Sequence, residues 1–401
     1  MRKEGEAGVD HGAAVLDFGS SKVICAYGTG APGRAVQIRG ANAVYYRDFA
    51  IGRDSASPQS WQVAAAQAVE RTQARAGVSF DRAYLVLPGP YSRVTCLNAS
   101  ASVTGERVTP RDMRTVLDQA ASLYQPDRYA VAHRTPMYYT LDSGEKLLDP
   151  AGAVSGHLRV RAALTLADRF FVQRVGAVMD ALGLETAGFV PSALGQALKL
   201  IPAQVRDGLC ILLDAGYHES CVSLVYADSV IFSSTIPVGG WHMATDLALQ
   251  LNISLAQAER IKRRFAFGLD PEAPDSAILV QVAGGRVSRF DYGAVCAIIE
   301  ARAMEIVQEA MRAVALSGYT VGADKPLVVT GGAIAPLRGA KAWCADVTGR
   351  KVSMPIPVGA VLNTPMDTAA VGGLHLALQQ TEDPEKEERS SLFHKLIRKR
   401  F

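Results

Sequence analysis

The chain has 401 residues, 49% hydrophobic and 20% charged, with a formal net charge of +3. That length suggests two or three domains at roughly 150 residues each, and the composition is that of a globular protein with a substantial core. So small a charge does not by itself imply a nucleic-acid-binding surface, and no nucleic acid partner is expected. Residues 1–12 are polar and charged, without the apolar core of a signal peptide. No run of about 18 apolar residues occurs, so no membrane-spanning helix is expected and any membrane contact is peripheral. None of the six cysteines forms a C-x-x-C pair, and the apolar runs around four of them predict buried thiols of a reducing cytosol. The seven histidines are scattered and form no metal-ligand spacing.

In chain order, the first element is an apolar strand at 13–16 ending in Asp17, followed by the turn Phe18-Gly19-Ser20-Ser21 and a second strand at 22–27. A helical pattern covers 61–76 and stops at Gly77. Residues from 81 onward change texture: short strands at 84–87 and 94–97, a helix at 109–124, and strands at 129–133, 137–141 and 157–166. This middle section reads as a small inserted α+β domain. A helix at 168–182 ends at Gly183, and a second hairpin joins 209–213 to 220–226 through Asp214 and the turn 215–219. Helices follow at 254–265, with a serine cap and a basic end, and at 292–316, stopped by Gly318. A short strand at 327–330 runs into Gly331-Gly332. Residues 379–391 are almost entirely polar and read as a flexible linker.

The two hairpins echo each other. Each has an apolar strand ending in Asp-x-Gly, then a tight turn and a second strand: Asp17-Phe18-Gly19 and Asp214-Ala215-Gly216. Such a repeat suggests a duplicated, two-lobed fold. Small residues in a strand-turn-strand leave backbone N–H groups facing outward in an anion-binding concavity. An aspartate beside phosphates works through Mg²⁺, which prefers octahedral oxygen coordination and keeps its waters. Glycines after the third strand let a flat base approach the backbone. Glu259 and Lys262 share one helix face, and spacing alone makes them a surface ion pair.

These pieces together resemble the actin/Hsp70/sugar-kinase superfamily, and within it the FtsA family of bacterial cell-division proteins. The resemblance runs over roughly residues 13–401. It is carried by PVGGWHMATDLA at 237–248, AQAERIK at 256–262 and NTPMDTAAVG at 363–372. It implies an actin-like two-lobed α/β fold of duplicated ribonuclease-H-like domains with an inserted subdomain. The implied boundaries are 12–81 with 161–206 for the core of lobe 1, 82–160 for the insertion, 207–244 with 296–378 for the core of lobe 2, and 245–295 for its outer subdomain. It further implies ATP with Mg²⁺ as ligand. Asp17, Gly19, Ser20, Ser21 and Lys22 would line the phosphates from one lobe and Asp214 and Gly216 from the other, with Asp17 and Asp214 on the metal through water. Glu259, Lys262, Arg263, Gly331, Gly332 and Ala333 would border the adenosine. One stretch departs from the family. Its second loop reads Asp-x-Gly-Gly-Gly-Thr, and here Tyr217, His218 and Glu219 replace the last three positions. At most weak ATP hydrolysis is therefore expected, and Glu219 would repel a terminal phosphate.

At the C-terminus, Leu392, Phe393, Leu396, Ile397 and Phe401 alternate with Lys395, Arg398, Lys399 and Arg400. As a helix over 392–401, the large apolar residues fall on one side, the pattern of an interfacial anchor. Each basic residue is worth about 1 kcal/mol at an anionic leaflet, so one copy binds reversibly and a polymer binds firmly. The resemblance implies a peripheral protein on the cytoplasmic face of the inner membrane at the division site. It would self-associate, bind the C-terminal tail of FtsZ, contact anionic lipid and recruit later divisome proteins. The basic stretch Arg260, Lys262, Arg263 and Arg264 suits an acidic tail. A PilM-type pilus-assembly protein and a sugar or acetate kinase of the same superfamily remain alternatives.

Overall fold

The computed structural model describes residues 11–30, 36–46, 57–125, 128–269, 277–281, 287–358 and 361–381. The chain begins with β1 (His11–Phe18), β2 (Lys22–Gly30) and β3 (Gln37–Tyr45), then α1 (Pro58–Ala76) and β4 (Arg82–Leu87). The Oγ of Ser57 accepts the Ser60 N–H to cap α1, Pro58 opens it, and Gly77 closes it with φ +67. After a 3₁₀ turn at Gly89–Tyr91 come β5 (Ser92–Ser102), α2 (Pro110–Ser122), β6 (Tyr129–Thr140), β7 (Lys146–Leu147) and β8 (His157–Asp168). Next are α3 (Arg169–Ala181), β9 (Glu185–Pro191), α4 (Ser192–Leu200) and α5 (Ala203–Arg206).

The second half runs β10 (Cys210–Ala215), β11 (Ser220–Tyr226), β12 (Ser229–Ile236), α6 (Gly240–Gln250), α7 (Leu255–Arg264), β13 (Ala277–Gln281) and β14 (Val287–Asp291). It finishes with α8 (Tyr292–Ala315), β15 (Leu327–Thr330), α9 (Ala340–Thr348), β16 (Val352–Ser353), a 3₁₀ turn at Pro365–Asp367, and α10 (Thr368–Thr381).

Two five-stranded sheets repeat one plan. Their orders are β3-β2-β1-β4-β9 and β12-β11-β10-β15-β16. In each, an antiparallel meander is followed by strands parallel to its first member: β1 pairs with β4 and β10 with β15. The layers alternate. Helices α1 and α3 cover one face of the first sheet, α4 and α10 lie between the sheets, and α6 and α8 cover the outer face of the second. Period-2 alternation then decides where each side chain points. Ala14, Leu16 and Phe18 face α1 and α3, whereas Ala13 and Val15 face the central helices. In β10, Ile211 and Leu213 face outward and Cys210 and Leu212 face the central layer. Asp17 and Asp214 continue the inward sets, so the same alternation that buries both strands aims the two carboxylates at one space.

Several boundaries differ from those expected. Arg82–Leu87 is a strand of the first sheet, paired with β1 and β9, so the insertion begins after residue 87 rather than at 82. It ends later than 160, because β8 runs on to Asp168 and is the central strand of the insertion's own sheet, ordered β5-β8-β6-β7. The expected strands at 129–133 and 137–141 are one bulged strand, β6. Helix α10 was expected within lobe 2. It packs instead on β1, β2, β4 and α4, where Val371 and Leu374 join Val15, Ile24 and Val86. Residues 245 and 295, the expected limits of the outer subdomain, fall inside α6 and α8. Residues 379–381 belong to the last turn of α10 and not to a linker. The remainder of the linker, and the expected amphipathic helix at 392–401, lie outside the described residues. Among the described residues no helix is long and apolar enough to cross a membrane.

Candidate functional site

The two Asp-x-Gly turns face each other across a cavity of about 670 Å³ between the sheets, within the range of small-molecule sites. The turns are built alike. A Cβ on Gly19 would lie 3.2 Å from the Lys22 carbonyl, and one on Gly216 would lie 2.4 Å from the Glu219 carbonyl. The second turn closes too tightly for a side chain at that position, and the first leaves a Cβ only a tight contact. Tyr46 props the first turn, its hydroxyl donating to the Gly19 carbonyl at 3.0 Å. The start of α6 props the second: the N–H groups of Gly240 and Trp241 donate to the carbonyls of Gly216 and Tyr217 at 3.0 and 2.7 Å. The turns also touch directly, through a bond from the His218 N–H to Ser20 Oγ at 3.3 Å.

Asp17 lies at the cavity floor and is 8% exposed. Burial pushes its carboxyl up to about 7; the Lys22 ammonium opposes that, and the charges of Asp214 and Asp367 add to it. Burial also raises Asp214, against a hydrogen bond from Gln196. Lys22 Nζ is 3.2 Å from Asp367 Oδ1. Asp367 is itself fixed by Thr364, whose hydroxyl and N–H donate to its Oδ2 at 2.6 and 3.1 Å. Gln196 Nε2 reaches from α4 to Asp214 Oδ2 at 2.7 Å and to Thr368 Oγ1 at 3.1 Å, and Thr368 meets Thr330 at 2.8 Å.

Gly331 and Gly332 line the cavity beyond Asp214. At Gly331, φ is +86, and a Cβ would fall 2.4 Å from both the Ala215 carbonyl and Asp214 Oδ1, so only glycine fits. Lys262 is buried: its Nζ donates to Glu259 Oε1 at 2.7 Å and to the Gly240 carbonyl at 2.8 Å, and lies 5.3 Å from the centre of the Tyr217 ring. The surface ion pair that spacing favours is thus an interior one. It also leaves the basic face of α7 to Arg260, Arg263 and Arg264, which are exposed.

Of the residues expected at the site, Asp17, Gly19, Ser20, Ser21, Lys22, Asp214, Gly216, Glu259, Lys262, Arg263, Gly331 and Gly332 all line the cavity. Ala333 does not: it is 1% exposed and spends its N–H on the Ala215 carbonyl at 2.8 Å. Sequence reasoning missed Gln196 and Asp367. A lone glutamine among the small and apolar residues 193–198 was a usable signal for the first. Thr364-Pro365-x-Asp367 has the spacing of a capping box and was one for the second.

Two sheets of one order, each presenting an aspartate-ended hairpin to a shared cavity, define an actin-like two-lobed fold. Solved structures agree. Over 91% of this chain and 98% of the other, the fold matches the PilM–PilN type IV pilus biogenesis complex with TM-score 0.62 and 15% identity. Over 95% and 99%, it matches MreB 5 of Spiroplasma citri bound to AMPPNP with TM-score 0.53 and 10% identity. Sequence narrows the class: "Cell division protein FtsA" matches residues 211–372, and "SHS2 domain inserted in FTSA" matches 89–165. The cell division protein FtsA of Pseudomonas aeruginosa is 24% identical over 379 residues, covering 92% of this chain and 89% of that protein. The chain belongs to the FtsA family of cell division proteins.

Proposed function

We propose that this chain is a division adaptor that takes an adenine nucleotide with Mg²⁺ between its lobes, self-associates, and ties FtsZ filaments to the cytoplasmic face of the bacterial inner membrane. The observation that carries the reading is the convergence of Asp17 and Asp214 below two touching hairpin turns in one cavity. Burial holds both carboxyls above the usual range, and the charges of Asp214 and Asp367 add to the rise at Asp17, a situation that a divalent cation relieves. The buried Oε1 of Gln196, beside Asp214, has no hydrogen-bond partner and suits a metal-bound water. Asp17 and Asp214 would hold Mg²⁺ through water, and the ion would offset phosphate charge. The first turn, with Lys22, would receive phosphate oxygens. Gly331 and Gly332 would face the base, with Arg263 exposed at the rim. Lys262 is committed to Glu259 and the Gly240 carbonyl, so it shapes the wall.

The outer part of lobe 2 would receive the acidic tail of FtsZ on the exposed arginines of α7. The mixed basic and apolar segment 392–401 would enter the lipid interface, and later division proteins would join the assembled polymer. Co-sedimentation with vesicles containing anionic lipid tests the tether. The full chain should carry FtsZ filaments into the pellet, and a chain ending at residue 391 should leave them in the supernatant. Equal pelleting by both chains would reject the proposed anchor.

A further inference from the structure

We propose that the cleft selects a nucleoside diphosphate over the corresponding triphosphate, and that Glu219 sets the preference. This rests on the reading above, in which the base lies beside Gly331 and Gly332 and the phosphates lie between the turns. The second turn then gives the cavity a direction. Tyr217, at its start, packs toward Lys262, Glu259 and the base end. Glu219, at its end, lies near Tyr91, close to where a Cβ on Gly89 would come within 2.5 Å of Cys221 Sγ. A phosphate chain that grows away from the base therefore grows toward Glu219.

Several of the groups that a third phosphate would draw on around the turns already have partners. The His218 N–H is bonded to Ser20 Oγ, and those of Gly240 and Trp241 to turn carbonyls. Lys22 shares its charge with Asp367 at 3.2 Å, which leaves less of it for a third phosphate beyond those the first turn receives, and Lys262 is held by Glu259 at 2.7 Å. Arg174, also at this end, lies over the Trp61 ring with its Cζ 4.1 Å from the centroid, on the wall of lobe 1. What the turn itself presents to an incoming phosphate is the half-buried Glu219 carboxyl. Burial raises its pKa, so the ionised form gains little local compensation. Mg·ATP carries one more negative charge than Mg·ADP, and in a partly desolvated cleft that charge is repelled strongly.

Isothermal titration of the full chain with Mg·ADP and with Mg·ATP, at about pH 8, above the ordinary carboxylate range, tests this. The parent should bind Mg·ADP at least about tenfold more tightly. Glu219→Gln, which keeps the shape and removes the charge, should bring the two within about threefold, and Glu219→Thr should do the same. Equal or tighter binding of Mg·ATP by the parent would overturn the preference and leave the nucleotide reading intact. An unchanged ratio in both variants would overturn the role given to Glu219. If the parent and both variants bind neither nucleotide, the underlying reading fails and the preference falls with it.

Discussion

Gln196 Nε2 donates to Asp214 Oδ2 at 2.7 Å, joining the helix after the first sheet to the strand that ends at the second turn. The same amide reaches Thr368 on α10 at 3.1 Å. One 1%-exposed side chain therefore ties the central helices to the floor of the cleft. Removing it leaves a buried carboxylate without its donor. Gln196→Leu should cost about 1.5–3 kcal/mol, the usual worth of a hydrogen bond to a charged group. Urea denaturation checks this. A change below about 0.5 kcal/mol, the ordinary surface value, would mean that the bridge contributes nothing.

Asp17 gives a pH-dependent prediction. Its carboxyl rises from 3.8 in the unfolded chain to about 7 in the fold. The native state therefore binds the proton more tightly, and the contribution to stability is full below the unfolded value. It is lost as pH rises through about 7, by up to about 4 kcal/mol. Asp17→Asn removes the buried charge. The variant should melt higher than the ligand-free parent at about pH 8, and the two should converge toward about pH 4. Melting temperatures across this range decide the matter, and a lower value for the variant at the alkaline end would show that Lys22 outweighs desolvation.

Lys262 and Glu259 form a buried pair whose lysine is held below its ordinary pKa by burial, with Glu259 opposing. Deleting one partner strands the other charge. Lys262→Met should cost about 3–5 kcal/mol, and the double change Lys262→Met with Glu259→Gln should recover much of it. Denaturation of the three proteins measures the coupling. Additive losses would place the pair effectively in solvent.

The parts of the cleft legible in the sequence are those where local chemistry dictates the backbone. Asp17 and Asp214 stand where a strand ends, Gly19 in a tight turn, and Gly216 and Gly331 where the chain passes too closely for a side chain, and these requirements are written in consecutive residues. Gln196 is distant in sequence from Thr368, as Lys22 is from Asp367, and these pairs meet only because α10 and the turn before it pack between the two sheets. The misplaced boundary at residue 82 has the same origin. Arg82–Leu87 is adjacent in sequence to the insertion, and its partner in the sheet, β1, is more than sixty residues upstream. The burial of Lys262 depended on Tyr217 and Gly240, which spacing along α7 does not encode. The three bulky residues of the second turn stand consecutively in the sequence, but what they touch needed the fold. Tyr217 supplies the roof over Lys262, and His218 joins the two turns through its backbone.

A titration of the full chain with Mg·ADP, run beside the Asp17→Ala, Asp214→Ala double variant, bears most directly on the claim that the two hairpins clamp one nucleotide. Saturable one-to-one binding by the parent, lost in the folded double variant, is the expected result. Saturation that survives in the variant, or none in the parent, would contradict it.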